Sequence, residues 1–242
     1  MSQLVWLDEV NPAFPPTHLA LEDPNGLLAA GGNLNSQTLI KAYQRGIFPW
    51  FEDGQAILWW SPTPRLCLRP ELAHLNRSLR KLARKKPFNI RVNSAFEEVI
   101  QRCADQVRDG QDGTWITDDI QRAYSELHQQ GWAHCIEAWQ DDKLVGGLYG
   151  ISIGRVFFGE SMFSEVSGAS KLAFATTIKQ LQAWGFKLID CQIYTDYLAQ
   201  FGATEIERDE FEYILQDNQG SARKFDWSGN WAMGEHGFDG SE

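Results

Sequence analysis

The sequence predicts an α+β protein whose C-terminal part is built on a mixed sheet. Three strand-like segments follow one another at 133–139, 144–153 and 156–163, and a helical segment at 169–184 then leads to a strand-like segment at 187–192. Turn signals separate the first three segments, whereas a strand–helix–strand crossover places its two strands parallel. We therefore expect both kinds of strand pairing in one sheet.

The chain before this sheet predicts a small N-terminal α/β domain. Asn35 and Ser36 can cap a helix that runs to Arg45. A leucine pattern that begins after Pro70 predicts a basic helix ending at Pro87, and the alternation at 88–92 predicts a strand. We assign residues 1–92 to this domain.

The remaining elements predict the larger domain, residues 93–242. Ser94 can cap a helix that runs to Ala104, and Thr117 can cap the next one. The order β-β-β-α-β that follows is typical of acetyltransferase-like (GNAT-like) folds, so we expect an acetyltransferase-like C-terminal domain. A last helix is expected at 209–215, followed by a loosely ordered tail.

Composition limits the cellular setting. The four cysteines form neither a CxxC pair nor a tight cluster, which favours a reducing cytoplasm over a disulfide framework. The first ten residues are acidic and carry no long apolar run, so we expect neither a signal peptide nor a membrane anchor. The five histidines show no metal-ligand spacing, and we expect no metal site.

A basic segment stands out in an acidic chain. The net charge is −10, yet residues 65–91 contain nine Lys or Arg and a single acidic residue. A solvated helix face is one explanation of such a run. Binding to a phosphate backbone is the other, because a local patch rather than net charge sets phosphate affinity. The residues expected on the outer face of the basic helix are Arg77, Arg80, Lys81 and Arg84.

Polar residues inside strand-like sequence predict a site near the crossover helix. Asp190 and Gln192 are two apart, so they are expected on one face of a strand, with Cys191 on the other. Glu160 lies on the strand before the helix and approaches Asp190 if the two strands are neighbours. Carboxylates are costly to bury without partners, and ligands bind at the ends of parallel strands. Cys191 has no histidine nearby in sequence, so a buried structural thiol is favoured over a nucleophile.

Several motifs in one order resemble the bacterial leucyl/phenylalanyl-tRNA–protein transferases. The resemblance covers about the first nine-tenths of the chain and fades after residue 215. The motifs are 23–29 (DPNGLLA), 43–51 (YQRGIFPWF), 59–62 (WWSP), Arg65, 113–117 (GTWIT), 159–164 (GESMFS), 169–171 (ASK) and 188–192 (LIDCQ).

The resemblance implies an activity. Members of that family move Leu or Phe, and Met less well, from aminoacyl-tRNA to the N-terminal amine of proteins that begin with Arg or Lys, which marks them for N-end-rule degradation. An aminoacyl ester is already activated, so the resemblance implies no cofactor. The basic helix would then hold the acceptor stem of the tRNA.

The resemblance also implies roles for the site residues. Asp190 would hold or polarise the amine, Gln192 would orient it or relay a proton, and Glu160 would complete an anionic pocket for the cationic N-terminus. Trp50 would flank the acceptor peptide and Trp115 the terminal adenosine. The donor side chain would enter a pocket expected to be lined by Leu148, Phe157, Met162, Phe174 and Ile189.

One departure from the family pattern concerns this pocket. The chain carries Phe174 and then Thr177, where relatives carry Leu and then Phe, so the aromatic ring has moved by about one helical turn. The shape of the pocket, and hence the preference between Leu and Phe, is open at this point.

Three rival functions fit part of the sequence. An N-acetyltransferase needs a Gly-rich pyrophosphate loop before the helix, and residues 165–170 contain a single glycine. A non-catalytic tRNA-binding module would not need three polar side chains in apolar strands. A FemX-like transferase uses aminoacyl-tRNA with a peptidoglycan precursor, but its motifs do not match and it is longer.

Overall fold

The computed structural model describes residues 4–106, 114–219, 225–227 and 231. The strands are β1 (Val5–Leu7), β2 (Leu27–Gly31), β3 (Phe48–Pro49), β4 (Leu58–Trp60), β5 (Arg65–Leu68), β6 (Asn89–Val92), β7 (Ala133–Gln140), β8 (Lys143–Ile153), β9 (Val156–Ser164), β10 (Leu188–Gln192) and β11 (Thr204–Ile206). The helices are α1 (Ser36–Tyr43), α2 (Arg77–Lys85), α3 (Phe96–Ala104), α4 (Asp118–Gln129), α5 (Ala169–Trp184), α6 (Asp196–Ala199) and α7 (Arg208–Gln219).

Two sheets organise the described residues. The smaller has the order β1-β2-β4-β3, and the larger has the order β11-β5-β10-β9-β8-β7-β6. β9 and β10 are parallel, whereas β8 is antiparallel to β9 and β5 is antiparallel to β10. The predicted α+β class, the mixed sheet and the parallel crossover through α5 are therefore confirmed. The acetyltransferase-like assignment stays a prediction.

The large sheet is covered on both faces. Alternate residues of β8 point to opposite sides, so Leu148 packs with α2 and α5 while Tyr149 packs with α1, α3, α4 and α7. The glycines of β8 permit close approach: a Cβ on Gly146 would lie 2.6 Å from the Cβ of Ala169. The first turn of α5 is therefore seated directly on the sheet.

The boundary predicted after Val92 stays a prediction. The small sheet is built from residues before 61. However, β5 and β6 also precede that boundary, and both lie in the large sheet, where β5 pairs with β10 and β6 with β7. The larger sheet thus draws strands from both sides of the predicted boundary.

The basic helix begins later than expected. Residues 70–72 form a short 3₁₀ turn, Ala73 is extended, and α2 starts only after Asn76. The side chain of Asn76 accepts a hydrogen bond from the backbone N–H of Leu79 and so fixes the start of the helix. The leucine spacing alone does not reveal this break.

The C-terminal segment is only partly described. The last predicted helix is present and extends to Gln219. Residues 220–224, 228–230 and 232–242 of the expected loose tail lie outside the described residues, as does Gly113 of one motif. Within the tail, Trp227 is buried and stacks on the ring of His134, with 3.9 Å between ring centroids. This part of the tail packs on the large sheet.

Candidate active site

A cavity of about 600 Å³ opens where β9 and β10 end beside the start of α5. Its apolar walls come from the packed cores on both faces of the large sheet. They include the five residues expected to line a donor pocket. These residues are Leu148, Phe157, Met162, Phe174 and Ile189. Trp50, Trp115, Glu160, Asp190 and Gln192 line the same cavity, which we call the main cavity. The structure therefore brings together residues that lie up to 142 positions apart in the sequence, from 50 to 192.

The polar end of the main cavity is centred on Glu160. Its carboxylate accepts hydrogen bonds from the hydroxyl of Tyr43 (2.8 Å), the amide nitrogen of Gln192 (3.1 Å) and the hydroxyl of Tyr124 (3.3 Å). The two tyrosine hydroxyls are also hydrogen-bonded to each other. Tyr43 comes from α1 and Tyr124 from α4, so two helices hold one carboxylate of the sheet.

The surroundings of Glu160 shift its acidity. Burial raises the pKa of the carboxyl from its ordinary 4.5 to about 8, and the nearby charge of Asp190 acts in the same direction. The hydrogen bonds from Tyr43 and Tyr124 and the charge of Arg65 oppose this rise. A carboxyl with such a pKa exchanges its proton near neutral pH.

Asp190 is held by a buried arginine. The Nε of Arg65 donates to Oδ1 of Asp190 at 2.9 Å, and Nη2 donates to Oδ2 at 2.6 Å. The two residues are 1% and 0% exposed. The fork geometry and the opposite charges make this a strong buried pair. Both oxygens of Asp190 are thus engaged within the protein.

β10 ends in a bulge, although Asp190 and Gln192 bond to Arg65 and Glu160 while Cys191 packs with the core on the other face of the sheet. A register shift lies between Asp190 and Gln192, and Gln192 adopts a left-handed backbone with φ of 63°. Its backbone N–H donates to Oδ1 of Asp190 at 2.9 Å. The bulge sets the backbone from which the Gln192 side chain reaches Glu160.

Cys191 packs on the face of β10 opposite Asp190, as expected, and it also lines the main cavity, which is lined from both faces of the sheet. It is half-buried, and burial raises the pKa of its thiol above the ordinary value. The charge of Asp190 adds to this rise. The thiolate is therefore disfavoured, which argues against a nucleophile.

A second cavity of about 1180 Å³ adjoins the main cavity, and Trp50 and Trp115 line both. Many of its other lining residues are acidic. They are Glu52, Asp53, Asp105, Asp118 and Asp119. We call it the acidic cavity. The two tryptophans therefore stand at the junction of an apolar and an anionic space.

The basic helix α2 lies beside the start of α5. Arg77, Lys81 and Arg84 are exposed, whereas Arg80 is half-buried and its Nε donates to the carbonyl of Leu75 at 2.7 Å. A third cavity of about 400 Å³ lies between α2 and α5, and we call it the basic cavity. Its cationic lining residues include Lys81, Lys85 and Lys171.

Three residues of this site have no role in the sequence predictions. Arg65 and Tyr43 appear there only within motifs, Arg65 also within the basic segment, and Tyr124 is not named. Position in a motif is the available signal for Arg65 and Tyr43. Their partners Asp190 and Glu160 are more than 100 residues away, so spacing could not find them.

The described residues bring no three His, Cys, Asp or Glu side chains together in a form that could hold a metal ion. The helices within the described ranges are all too short or too polar to cross a bilayer.

Comparisons with known proteins agree on one family. The profile described as leucyl/phenylalanyl-tRNA protein transferase matches residues 67–216, and the profile of that family's N-terminal domain matches residues 32–63. A leucyl/phenylalanyl-tRNA–protein transferase of Saccharophagus degradans is 58% identical over 98% of this chain and 99% of its own. Proteins of the same name from Teredinibacter turnerae (59%, over 89% and 83%) and Pseudomonas fluorescens (52%, over 89% and 95%) are also similar.

One solved structure matches most of the chain. It is the C-terminal domain of an Agrobacterium fabrum protein assigned as a lysylphosphatidylglycerol synthetase, with 11% identity and coverage of 88% of this chain and 64% of that one. The TM-score of 0.38 is too low to establish a shared fold.

Proposed function

The chain belongs to the leucyl/phenylalanyl-tRNA–protein transferase family, and we propose that it is an aminoacyltransferase that uses Leu-tRNA and Phe-tRNA, and Met-tRNA less well. The acceptor is the N-terminal amine of a protein that begins with Arg or Lys, and the product is marked for N-end-rule degradation. We place the reaction in the cytoplasm, where charged tRNA is available. The four cysteines are free in the structure, which suits that compartment.

The observation that carries the proposal is the make-up of the main cavity. An apolar chamber ends at a carboxylate whose pKa lies near 8. The chamber suits an apolar amino-acid side chain, and the carboxylate suits an amine that attacks beside it. A module that only binds tRNA needs no such carboxylate.

The chemistry requires one proton to move. The neutral α-amine of the acceptor attacks the carbonyl carbon of the aminoacyl ester, and a C–N bond forms. Glu160 accepts the proton that the nitrogen sheds, and returns it to the 3′ oxygen of the tRNA as the ester C–O bond breaks. An α-amine has a pKa of about 8, close to the value for Glu160, so the transfer is nearly balanced in energy.

Gln192 and Asp190 then have different tasks. The amide nitrogen of Gln192 donates to Glu160, which leaves its carbonyl oxygen to accept a hydrogen bond from the amine. An amide is too weak a base to take the proton itself. Asp190 has no exposed surface and is paired with Arg65, so it contributes negative charge and shape rather than direct contact. This replaces the expectation that Asp190 holds the amine.

The chamber selects the donor. Leu, Phe and Met are unbranched at Cβ, so each enters a narrow apolar opening, whereas Val and Ile are wide from Cβ onwards. Phe174 lines the chamber, and its ring packs edge-on against Phe201 with 4.9 Å between centroids. Thr177 is buried and its hydroxyl donates to the carbonyl of Ala173. The side chain at 174, and not the one at 177, therefore lines the chamber from α5.

The surroundings of the main cavity suit both substrates. Ser170 lines the main cavity and the next residue, Lys171, lines the basic cavity. Phosphates held along α2 would therefore lead the 3′ end of the tRNA to the chamber within one helical turn. Trp115 would stack on the terminal adenosine, and Trp50 would flank the acceptor. The carboxylates of the acidic cavity favour a cationic side chain there.

The test is transfer of labelled Leu or Phe from charged tRNA to a peptide that begins with Arg. Wild type and Asp190→Ala are assayed together, with a Gly-initiated peptide and Val-tRNA as controls. We expect label on the Arg peptide alone, and its loss in the variant. Glu98→Gln, on the exposed face of α3, should transfer normally. No transfer from any charged tRNA, together with retention on a coenzyme A column, would replace the proposal by an acetyltransferase.

A further inference from the structure

The side chain of Arg65 is held by contacts from several elements of the fold. Besides the two bonds to Asp190, its Nη1 donates to the carbonyl of Gly46 at 3.1 Å. The ring centroids of Phe48 and Phe211 each lie 4.8 Å from the guanidinium carbon. Two cation–π contacts and three hydrogen bonds leave this side chain one orientation.

We call Arg65 together with Gly46, Phe48 and Phe211 the clamp. These residues come from separate parts of the chain. Gly46 and Phe48 follow α1, Arg65 opens β5, and Phe211 is on α7. A Cβ on Gly46, whose φ is 71°, would lie 2.6 Å from the ring of Phe211. Glycine at 46 thus lets α7 approach closely enough for Phe211 to cover the guanidinium.

What the clamp holds is the strained end of β10. Oδ1 of Asp190 accepts from Arg65 and from the backbone N–H of Gln192. The left-handed backbone of Gln192 is unfavourable for a residue with a side chain, so it persists only when neighbours impose it. The same bulge aims the amide of Gln192 at Glu160.

We propose that Arg65 is a positioning residue for aminoacyl transfer, and that Phe211 of α7 works through it. The guanidinium fixes the position of the Asp190 carboxylate, and this carboxylate holds the bulge at Gln192. The bulge then sets the distance between the Gln192 amide and Glu160. Helix α7 thereby controls the geometry of the main cavity, although its residues do not line that cavity. This inference rests on the proposed function. It adds that Arg65 and Phe211 set the rate of aminoacyl transfer through Asp190 and Gln192.

A purely structural ion pair would behave differently. Replacing Arg65 by Lys keeps the charge but loses the flat fork and the stacking on two rings. If the pair served stability alone, this change would lower the melting temperature and leave the kcat of the folded fraction intact. If the fork positions the site, kcat falls in protein that is folded, because a displacement of about 1 Å can cost roughly 100-fold in rate.

The experiment compares Arg65→Lys and Phe211→Leu with Phe186→Leu. Phe186 is a matched control, because it is buried to the same degree and its aromatic neighbours are Trp184, Phe225 and Trp227, on the other face of the sheet. We expect kcat to fall roughly 100-fold in Arg65→Lys and about tenfold in Phe211→Leu, with KM for both substrates within about twofold of wild type. Phe186→Leu should keep the wild-type kcat.

A pH profile of kcat separates charge from geometry. The groups that face Glu160 are Tyr43 from α1, Tyr124 from α4, Asp190 and Gln192 from β10, and Arg65 from β5. Arg65→Lys retains the cation, so its profile should keep its midpoint while its plateau drops. Arg65→Met leaves Asp190 unopposed, so its midpoint should move to higher pH.

Each outcome decides the inference. Folded Arg65→Lys and Phe211→Leu with kcat within twofold of Phe186→Leu would overturn it. If the Arg65 variants do not fold, the kcat of Phe211→Leu against that of Phe186→Leu still decides whether the clamp positions the site. A wild-type protein that transfers nothing contradicts the proposed function instead, so the two failures are distinguishable.

Discussion

Glu160 is surrounded by groups that act on its carboxyl in opposite directions, with burial and Asp190 raising its pKa to about 8 and the two tyrosines and Arg65 opposing the rise. As the proton acceptor, it must be ionised before transfer. We therefore expect kcat to rise with pH through about 8 and then level off. Glu160→Gln should lower the plateau at least about 100-fold, the usual minimum for a lost general base.

The acceptor amine also titrates near this pH, so the variant provides the control. In Glu160→Gln the remaining rise belongs to the amine alone and should be less steep. A wild-type profile with the same slope as Glu160→Gln would contradict a proton-accepting role. Rates are measured at saturating aminoacyl-tRNA and peptide.

The same carboxyl makes a prediction about stability. Its folded pKa lies above its ordinary value of 4.5, so the folded state binds more protons than the unfolded state between pH 4.5 and about 8. The contribution of Glu160 to the free energy of unfolding is therefore fully present below pH 4.5 and is lost as the pH rises through 8. Urea unfolding at pH 6 and pH 9 should show Glu160→Gln gaining stability relative to wild type at the higher pH. Glu98→Gln should keep a constant difference.

Phe174 makes a prediction about donor choice. Its ring narrows the chamber that takes the donor side chain. Phe174→Leu should leave room for a larger donor and raise kcat/KM for Phe-tRNA relative to Leu-tRNA by about tenfold, the effect of one or two methylene-sized changes in an apolar pocket. Thr177→Val is the control on the same helix, because Thr177 is buried without lining the cavity. An equal shift in both variants would mean that the helix, not the ring, sets the preference.

At the scale of elements, the start of α3 depends on a residue of another element. Glu137 of β7 is fully buried and accepts hydrogen bonds from the backbone N–H groups of Ser94 (2.7 Å) and Ala95 (3.1 Å) and from the indole of Trp139 (3.0 Å). The expected cap by Ser94 is wrong, since its hydroxyl is also bonded to Glu137. The carboxylate therefore holds the two residues that precede the helix and lies close to its positive end.

Glu137→Ala should leave these donors buried without partners. We expect the free energy of unfolding to fall by roughly 3 kcal/mol. Glu97→Ala is the matched control, because Glu97 lies in the first turn of the same helix but is exposed, and its change should stay within about 0.5 kcal/mol. Chemical denaturation measures both. A similar loss in the two variants would assign the effect to helix charge alone.

The elements that sequence predicted well are those whose signals are local. The apolar run and closing Gly185 define α5, and the crossover rule then makes β9 and β10 parallel. The predictions failed where a distant residue decides. Glu137 of β7 holds the two residues before α3 in place of a cap by Ser94, and the pairing of β10 with β5 includes a bulge at Gln192.

The residues of the candidate site also divide into those that the sequence predicted and those whose role depends on distant elements. The five apolar lining residues were expected from the family resemblance, and they do line the main cavity. Arg65 could not be given a role, because its meaning depends on a fold that brings β5 next to β10. A charged residue at the first position of a strand is interpreted as lying at the edge of the sheet until the order of the strands is known. Buried pairs between distant elements are therefore the part of a site that local patterns miss.

At the scale of the whole molecule, charge is separated. The net charge is −10, and carboxylates line the acidic cavity, while α2 and the start of α5 present Lys and Arg. A nucleic acid would be repelled by most of the surface and attracted to one side. If the proposed function holds, this arrangement orients the tRNA on the protein before any specific contact forms.

Removing part of the basic side should weaken tRNA binding without touching the chemistry. The double variant Arg77→Ala and Lys81→Ala loses two exposed cations of α2. Each phosphate contact contributes about 0.7 to 0.9 to the slope of log affinity against log salt concentration. We therefore expect KM for Leu-tRNA to rise, its salt slope to fall by about 1.5, and kcat at saturation to stay unchanged. The double variant Lys143→Ala and Lys187→Ala removes the same charge from exposed sites elsewhere. If this control changes KM and the slope equally, net charge rather than α2 guides the tRNA.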